Sequence, residues 1–171
     1  MTQKLFGIIG WKNSGKTTMT ERLVRNLTGR GYRIATVKHA HHDFDIDHEG
    51  KDSWRHRKAG AAEVAVVSAK RYAIIHENGN EPEPPLTDIL ARLSPCDLVL
   101  IEGYKRDSHK KIELRRNESA KTERLSPTDA NIVAIASDQP QTDESLPVFH
   151  LDDIDAIADF IVQELELHKT T

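Results

Sequence analysis

The sequence predicts an α/β fold, a three-layer sandwich around a mostly parallel sheet with an inserted antiparallel hairpin. Three observations predict it. A glycine-rich loop, Gly10-Trp11-Lys12-Asn13-Ser14-Gly15-Lys16-Thr17, joins an apolar run to an amphipathic one, which is the strand, loop, helix order of a phosphate-binding loop. The continuous apolar runs at 98–101 and 132–136 read as strands buried on both faces, as parallel strands are. Strand-like and helix-like segments alternate along the chain, the pattern of helices packed on a parallel sheet.

The elements follow in order. Residues 4–9, with Leu5, Phe6, Ile8 and Ile9, form the first strand. Residues 17–30 form a helix with Met19, Leu23, Val24 and Leu27 on one side, ended near Gly29 and Gly31. A second strand is expected over 33–37. Residues 38–50 have no period and are rich in His, Asp and Gly, so they read as loop. Asp52 or Ser53 caps a short helix running to about Ala59. Residues 63–68 and 71–76 are rich in strand formers and pair as a hairpin, although no glycine marks the turn. Residues 78–85 hold three prolines and a glycine and are loop. Thr87 caps a helix through Leu93, and residues 111–114 are expected as an edge strand. After 132–136 comes a last strand over 148–151. Asp152 or Asp153 then caps a closing helix with Ile154, Ile157, Phe160, Ile161 and Leu165 on one face. No repeat and no linker is visible, so residues 1–171 are expected as one domain.

Composition narrows the function. A chain of 171 residues can bury a core without disulfides. Its single cysteine, Cys96, cannot pair within the chain, which suits a reducing compartment. No signal-peptide pattern and no membrane-length apolar run is present, so a soluble cytoplasmic protein with no membrane partner is expected. The net charge of -3 hides an asymmetry. Residues 104–124 carry eight Lys/Arg against four Asp/Glu, and from 125 onward ten Asp/Glu face only Lys169. That basic region suits phosphates or an acidic partner, and it is too small to indicate a nucleic-acid binder.

The loop at 10–17 names a ligand class, nucleoside triphosphate with Mg²⁺, and with it a P-loop NTPase fold. Backbone N–H groups from Lys12, Asn13, Ser14, Gly15, Lys16, Thr17 and Thr18 can wrap the phosphates, helped by the helix dipole. Gly10 and Gly15 allow the backbone to approach closely. Lys16 reaches the β- and γ-phosphates, and the Thr17 hydroxyl is placed for Mg²⁺. Glu102 ends the apolar strand just before Gly103, where a P-loop fold delivers a carboxylate to the magnesium shell. Lys16 and Glu102 are therefore the candidate catalytic residues, and Thr17 and Glu102 the candidate metal ligands.

The segment 36–56 follows the second strand, so it belongs at the same sheet edge. Three readings compete for it. In the first, Asp47 helps hold magnesium while Lys38, Arg55 or Lys58 meets anions. In the second, His39, His41, His42 and His48 bind a transition metal, although their spacing matches no standard zinc pattern. The third is a polar loop with no special task. Asp138 follows a buried strand where guanine readers often place an acid, but no Asn-Lys-x-Asp motif is present. Asp138 equally suits the opening of a turn at Pro140.

In these motifs taken together, the chain resembles the MobB family, the molybdopterin-guanine dinucleotide biosynthesis adapter proteins. The resemblance rests on residues 10–18, on Thr-Val-Lys-His-Ala-His-His at 36–42, on Asp-Ser-Trp-Arg-His at 52–56 with Ala-Gly-Ala at 59–61, and on Ile-Glu-Gly-Tyr-Lys at 101–105. It implies a homodimeric GTP-binding protein with weak GTPase activity that needs Mg²⁺. It further implies an adapter to the guanylyltransferase that joins GMP to molybdopterin in molybdenum cofactor biosynthesis. By position, Lys12 to Thr18 would hold phosphates, and Thr17, Glu102 and Asp47 would serve the metal. Lys38, His39, Arg55, Lys105 and Arg106 form a possible anion or partner site, with molybdopterin itself among the partners. One departure stands out: the lysine that many proteins of this branch carry straight after the first glycine is Trp11 here, and the lysine comes next, at Lys12. The alternatives are a small-molecule kinase with 104–124 as a lid, and a pure binding adapter. No residue marks itself as orienting an attacking water and no arginine finger is evident, so slow hydrolysis is expected.

Overall fold

A computed structural model describes residues 3–40, 44–121 and 123–169. The chain divides into two compact units, Met1–His39 with Ser94–Thr171, and Ala40–Leu93.

The larger unit holds β1 (Leu5–Gly10), α1 (Lys16–Gly29), β2 (Ile34–Lys38), β5 (Leu98–Glu102), β6 (Lys111–Arg115), β7 (Ile132–Ser137), β8 (Val148–His150) and α4 (Ile154–Glu164). Its six strands run in the order β2-β5-β1-β6-β7-β8, and each neighbouring pair is parallel. The smaller unit holds α2 (Asp52–Lys58), β3 (Glu63–Val67), β4 (Tyr72–His76) and α3 (Leu86–Ala91). In it β3 and β4 form the expected antiparallel hairpin as a separate two-stranded sheet.

Alternation along the strands sorts the residues of the main sheet. Phe6 and Ile8, Leu98 and Leu100, Ile112 and Leu114, and Ala134 and Ala136 share one core with Met19, Leu23 and Leu27 of α1 and Ile157, Ala158 and Ile161 of α4. Successive strand residues point to opposite faces, so Gly7, Ile9, Val99, Ile101, Lys111, Glu113 and Arg115 lie on the other side. Asp153 caps α4 by accepting from Ala156 N–H. At the end of α1, Gly31 takes φ 90° and donates to Thr28 O, as the glycine pattern predicts.

Two expectations change. Residues 111–115 are not an edge strand, since β6 lies between β1 and β7. Its charged residues are buried because each is paired. The Lys111 ammonium, fully buried, donates to Lys105 O at 3.0 Å, Asp107 O at 2.5 Å and Asp129 Oδ2 at 2.8 Å. Glu113 accepts from Leu125 N and Ser126 N, and Arg115 bonds Glu113, Gln141 and Ser126. The second change concerns caps. Lys51 and Pro85 occupy the N-cap positions of α2 and α3 without a side-chain bond. Asp52 instead lies in the first turn of its helix, where the dipole favours an acid, and Thr87 falls one residue inside α3.

Candidate functional site

The loop between β1 and α1 has the backbone that its glycines permit. Gly15 sits at φ 90° as the residue entering α1, and Asn13 is also left-handed at φ 67°. Gly10 is required by space: a Cβ there would meet Ser14 Oγ at 2.4 Å and Leu114 O at 2.7 Å. No side chain caps α1, so the N–H groups of its first turn face outward with the positive end of the dipole.

Lys16 bends back over the loop, donating to Gly10 O at 3.1 Å and Trp11 O at 2.9 Å. Burial pushes its ammonium below the ordinary lysine value. Glu102 opposes that shift, and Lys105 and Lys38 add to it. An anion placed here would relieve the crowding of cations.

The register explains how Glu102 arrives. Ile8 pairs with Glu102 and Glu102 with Lys38. Glu102 shares the parity of Leu98 and Leu100, so it points toward the α1 side of the sheet. There the Thr17 hydroxyl donates to its Oε1 at 3.0 Å. Lys38 Nζ lies 3.6 Å from the same oxygen, and Glu102 is itself buried. Gly103 follows at φ 98°, where a Cβ would meet His39 Cβ at 2.9 Å. His39 donates its N–H to Glu102 O and stacks on Tyr104 with ring centroids 4.5 Å apart. A cavity of about 460 Å³ lined by Asn13, Gly15, Lys16, Thr17, Thr18, Glu102, Arg116 and Glu118 sits over these groups.

On the other side of Thr18 a second cavity, about 210 Å³, is bounded by Ser14, Thr18, Arg22, Asp138, His150 and Leu151 among others. Asp138 thus lines a space next to the cavity over Lys16, Thr17 and Glu102. Its carboxylate accepts from Asn117 N at 3.1 and 3.2 Å.

The remaining predicted residues fall in several places. Lys12 accepts at its carbonyl from Ala120 N–H. Trp11 donates its indole N–H to Glu123 O at 2.7 Å, with Lys105 Nζ 4.0 Å and Lys121 Nζ 4.5 Å from its ring centroid. Arg106 is exposed. Asp47 and Arg55 belong to the smaller unit. There Asp47 accepts from Ser53 Oγ, His48 N and Arg57 Nε, and Arg55 is exposed on α2. Burial works to raise the Asp47 carboxyl, but these three donors hold it below the ordinary value. His41 and His42 lie outside the described residues. Among the described residues no three His, Cys, Asp or Glu side chains come together as a metal site, and no helix is long and apolar enough to cross a membrane.

The residue missed in the sequence is Arg116, which lines both cavities and pairs with Glu118 at 3.2 Å. A signal was present. Two adjacent arginines at a strand end point to opposite faces, so burying Arg115 turns Arg116 the other way.

The chain matches the family model described as molybdopterin guanine dinucleotide synthesis protein B over residues 5–138. It is 36% identical over 164 residues to the molybdopterin-guanine dinucleotide biosynthesis adapter protein of Escherichia coli (strain K12), covering 95% of this chain and 93% of that protein. To the protein of the same description from Haemophilus influenzae it is 40% identical over 161 residues, covering 92% and 86%. Among solved structures, Bacillus subtilis MobB superposes with a TM-score of 0.76 at 28% identity, over 95% of this chain and 98% of that one. A MobB homolog from Bacillus stearothermophilus gives 0.70 at 30% identity, over 95% and 97%.

Proposed function

The chain belongs to the MobB family, and on that premise we propose that it is a GTP-binding adapter in molybdopterin guanine dinucleotide biosynthesis. Its partner in this reading is the cytoplasmic nucleotidyltransferase that joins GMP to molybdopterin. The observation that carries the nucleotide half is the meeting of Lys16, Thr17 and Glu102 in one cavity at the loop between β1 and α1. The loop backbone and the α1 N-terminus bind the phosphates, and Lys16 supplies a point charge that reaches them once it leaves the carbonyls of Gly10 and Trp11.

A hard divalent cation fits the donor set. A hydroxyl and a buried carboxylate lie 3.0 Å apart, and Mg²⁺ prefers oxygen ligands of this kind, used one or two at a time beside phosphates. Thr17 and Glu102 would hold it, and the ion would neutralise phosphate charge. Turnover is slow in this reading. Glu102 is engaged by Thr17 and Lys38 and Glu118 by Arg116, so the carboxylates of the cavity are poorly placed to take a proton from water. The base would occupy the cavity beside Thr18, with Asp138 accepting from the N1 and N2 groups of guanine.

The hairpin supports a homodimer. Cross-strand partners share a face, which puts Val67 with Tyr72 and Ala65 with Ile74 on one side. Val67, Tyr72 and Ile74 are 74%, 69% and 59% exposed, whereas Val64 on the opposite face is buried. A two-stranded sheet is marginal by itself, and a second copy covering this face would complete it.

The test is affinity and turnover for GTP against ATP, with and without the transferase. GTP preference that is lost in Lys16→Ala is expected. Tight ATP binding with phosphorylation of a small acceptor would overturn the reading in favour of a kinase. Sedimentation of Ile74→Arg checks the dimer, with a shift to monomer expected.

A further inference from the structure

We propose that a third cavity, between Trp11 and the ends of β6 and β7, is a second ligand site beside the nucleotide, taking a small planar heterocycle that carries an anionic group. It rests on the reading above, because it seats this ligand against bound GTP.

The cavity is about 190 Å³, below the roughly 300–1,000 Å³ of drug-sized sites, so it suits a single ring system. It shares Arg116 and Asp138 with the cavity beside Thr18 but contains neither Lys16 nor Thr17. Its wall combines an aromatic ring, Trp11, with the amides of Asn117 and Gln141. Such groups read the donor and acceptor edge of a heterocycle while an aromatic surface packs on it.

Two polar atoms in the wall are buried without a hydrogen-bond partner among the described residues, Arg115 Nε and Ser119 Oγ. Buried polar atoms are normally paired, and these two leave the wall short of polar partners. Arg115 is otherwise saturated: its remaining nitrogens bond Glu113, Gln141, Glu144 and Ser126.

The charge is placed for an anion. Two of the three carboxylates of the wall are already compensated, Glu113 by Arg115 and two backbone N–H groups and Asp138 by Asn117 N, and the third, Glu123, is exposed to solvent. Lys121 has its ammonium over Trp11, close to Lys105, whose own ammonium is pushed down by burial and by Lys121. An anion near Lys121 would offset that repulsion. Arg116 lines all three cavities, so it would touch both the second ligand and the bound nucleotide. Two anionic ligands would then meet at one guanidinium, the arrangement that brings a second reactant beside nucleotide phosphates.

The experiment is calorimetric titration of pterin-6-carboxylate, a flat heterocycle with an anion, into full-length protein saturated with Mg²⁺ and a non-hydrolysable GTP analogue. One-to-one binding is expected. Lys121→Ala should weaken it about tenfold or more while Lys121→Arg retains it, and neither change should alter affinity for the GTP analogue. Displacement of the GTP analogue by the probe would overturn the proposal, because the cavity would then be part of the nucleotide site. Failure of nucleotide-loaded protein to bind the probe, or equal binding by Lys121→Ala, would overturn it as well. If the protein binds no GTP analogue at all, the adapter reading fails separately. The same titration on nucleotide-free protein then decides the cavity, with saturable binding sensitive to Lys121→Ala keeping it and no binding removing it.

Discussion

Replacing Glu102 by glutamine separates the charge of the proposed phosphate site from its shape. The amide keeps the volume and an oxygen that still accepts from Thr17 Oγ1, now 3.0 Å away. What disappears is one negative charge 3.6 Å from Lys38 Nζ. At an effective dielectric constant of about 20 that attraction is roughly 4–5 kcal/mol. Lys38 is 62% exposed, however, and solvent screening with side-chain entropy leaves such a pair about 0–1 kcal/mol net. The unfolding midpoint should therefore move by no more than about 4 °C. Function responds differently. Removing a carboxylate from a metal's surroundings typically costs about 10–100-fold in metal affinity, and Lys16 loses the one neighbour that opposes its lowered pKa. The assay titrates Mg²⁺ against binding of a GTP analogue, with thermal unfolding run in parallel. An unchanged Mg²⁺ requirement would refute the assignment of Glu102 to the metal. A collapse in stability would show instead that Glu102 is chiefly a structural prop.

Further predictions concern the surroundings of the site. Gly7→Ala places a Cβ 2.6 Å from His109 Nε2 and 2.8 Å from Lys111 Cβ, and should cost about 1–3 kcal/mol in denaturant unfolding. Adding His109→Ala should recover only part of the loss, since Lys111 Cβ stays. Arg57→Gln removes the donor shared by Asp45, Asp47 and Glu77, and hydrogen exchange at 44–48 should accelerate while that at β1 does not. Asp47 is held below its ordinary 3.8, so its contribution is complete above that value and disappears as pH falls through the lower, folded-state pKa. Protection of the 44–58 amides should accordingly fade below about pH 4, and persistence of full protection at lower pH would contradict the role given to Asp47.

Much of the fold was legible because its signals are local. Residues 5–17 carry the strand, the loop and its glycines in unbroken order, and Glu102 follows directly from an apolar run. The sequence reading of 111–114 as an edge strand failed for a reason that can be named. Charges alternating with apolar residues read as a solvated face, and only distant partners reveal otherwise. Asp129, Leu125 and Gln141 make Lys111, Glu113 and Arg115 affordable inside the protein. Arg116 escaped notice in the same way, since its importance depends on which face its neighbour fills. The stretch 104–124, a lid only in the kinase alternative, holds a strand as expected, but that strand is buried inside the sheet.

The sequence alone determined the family and the loop on which the nucleotide reading rests. A glycine-rich loop imposes its backbone through the residue types it contains, and the motifs at 36–42 and 101–105 are contiguous. Tertiary structure decided everything that depends on register and parity. It brought Lys38, Glu102 and Thr17 together across three elements, placed Asp138 beside a cavity, set Arg116 in the wall of three cavities and put Trp11 in one of them. Side-chain direction in a parallel sheet is fixed by which strands become neighbours, and that choice is made by long-range packing rather than by any local run of residues.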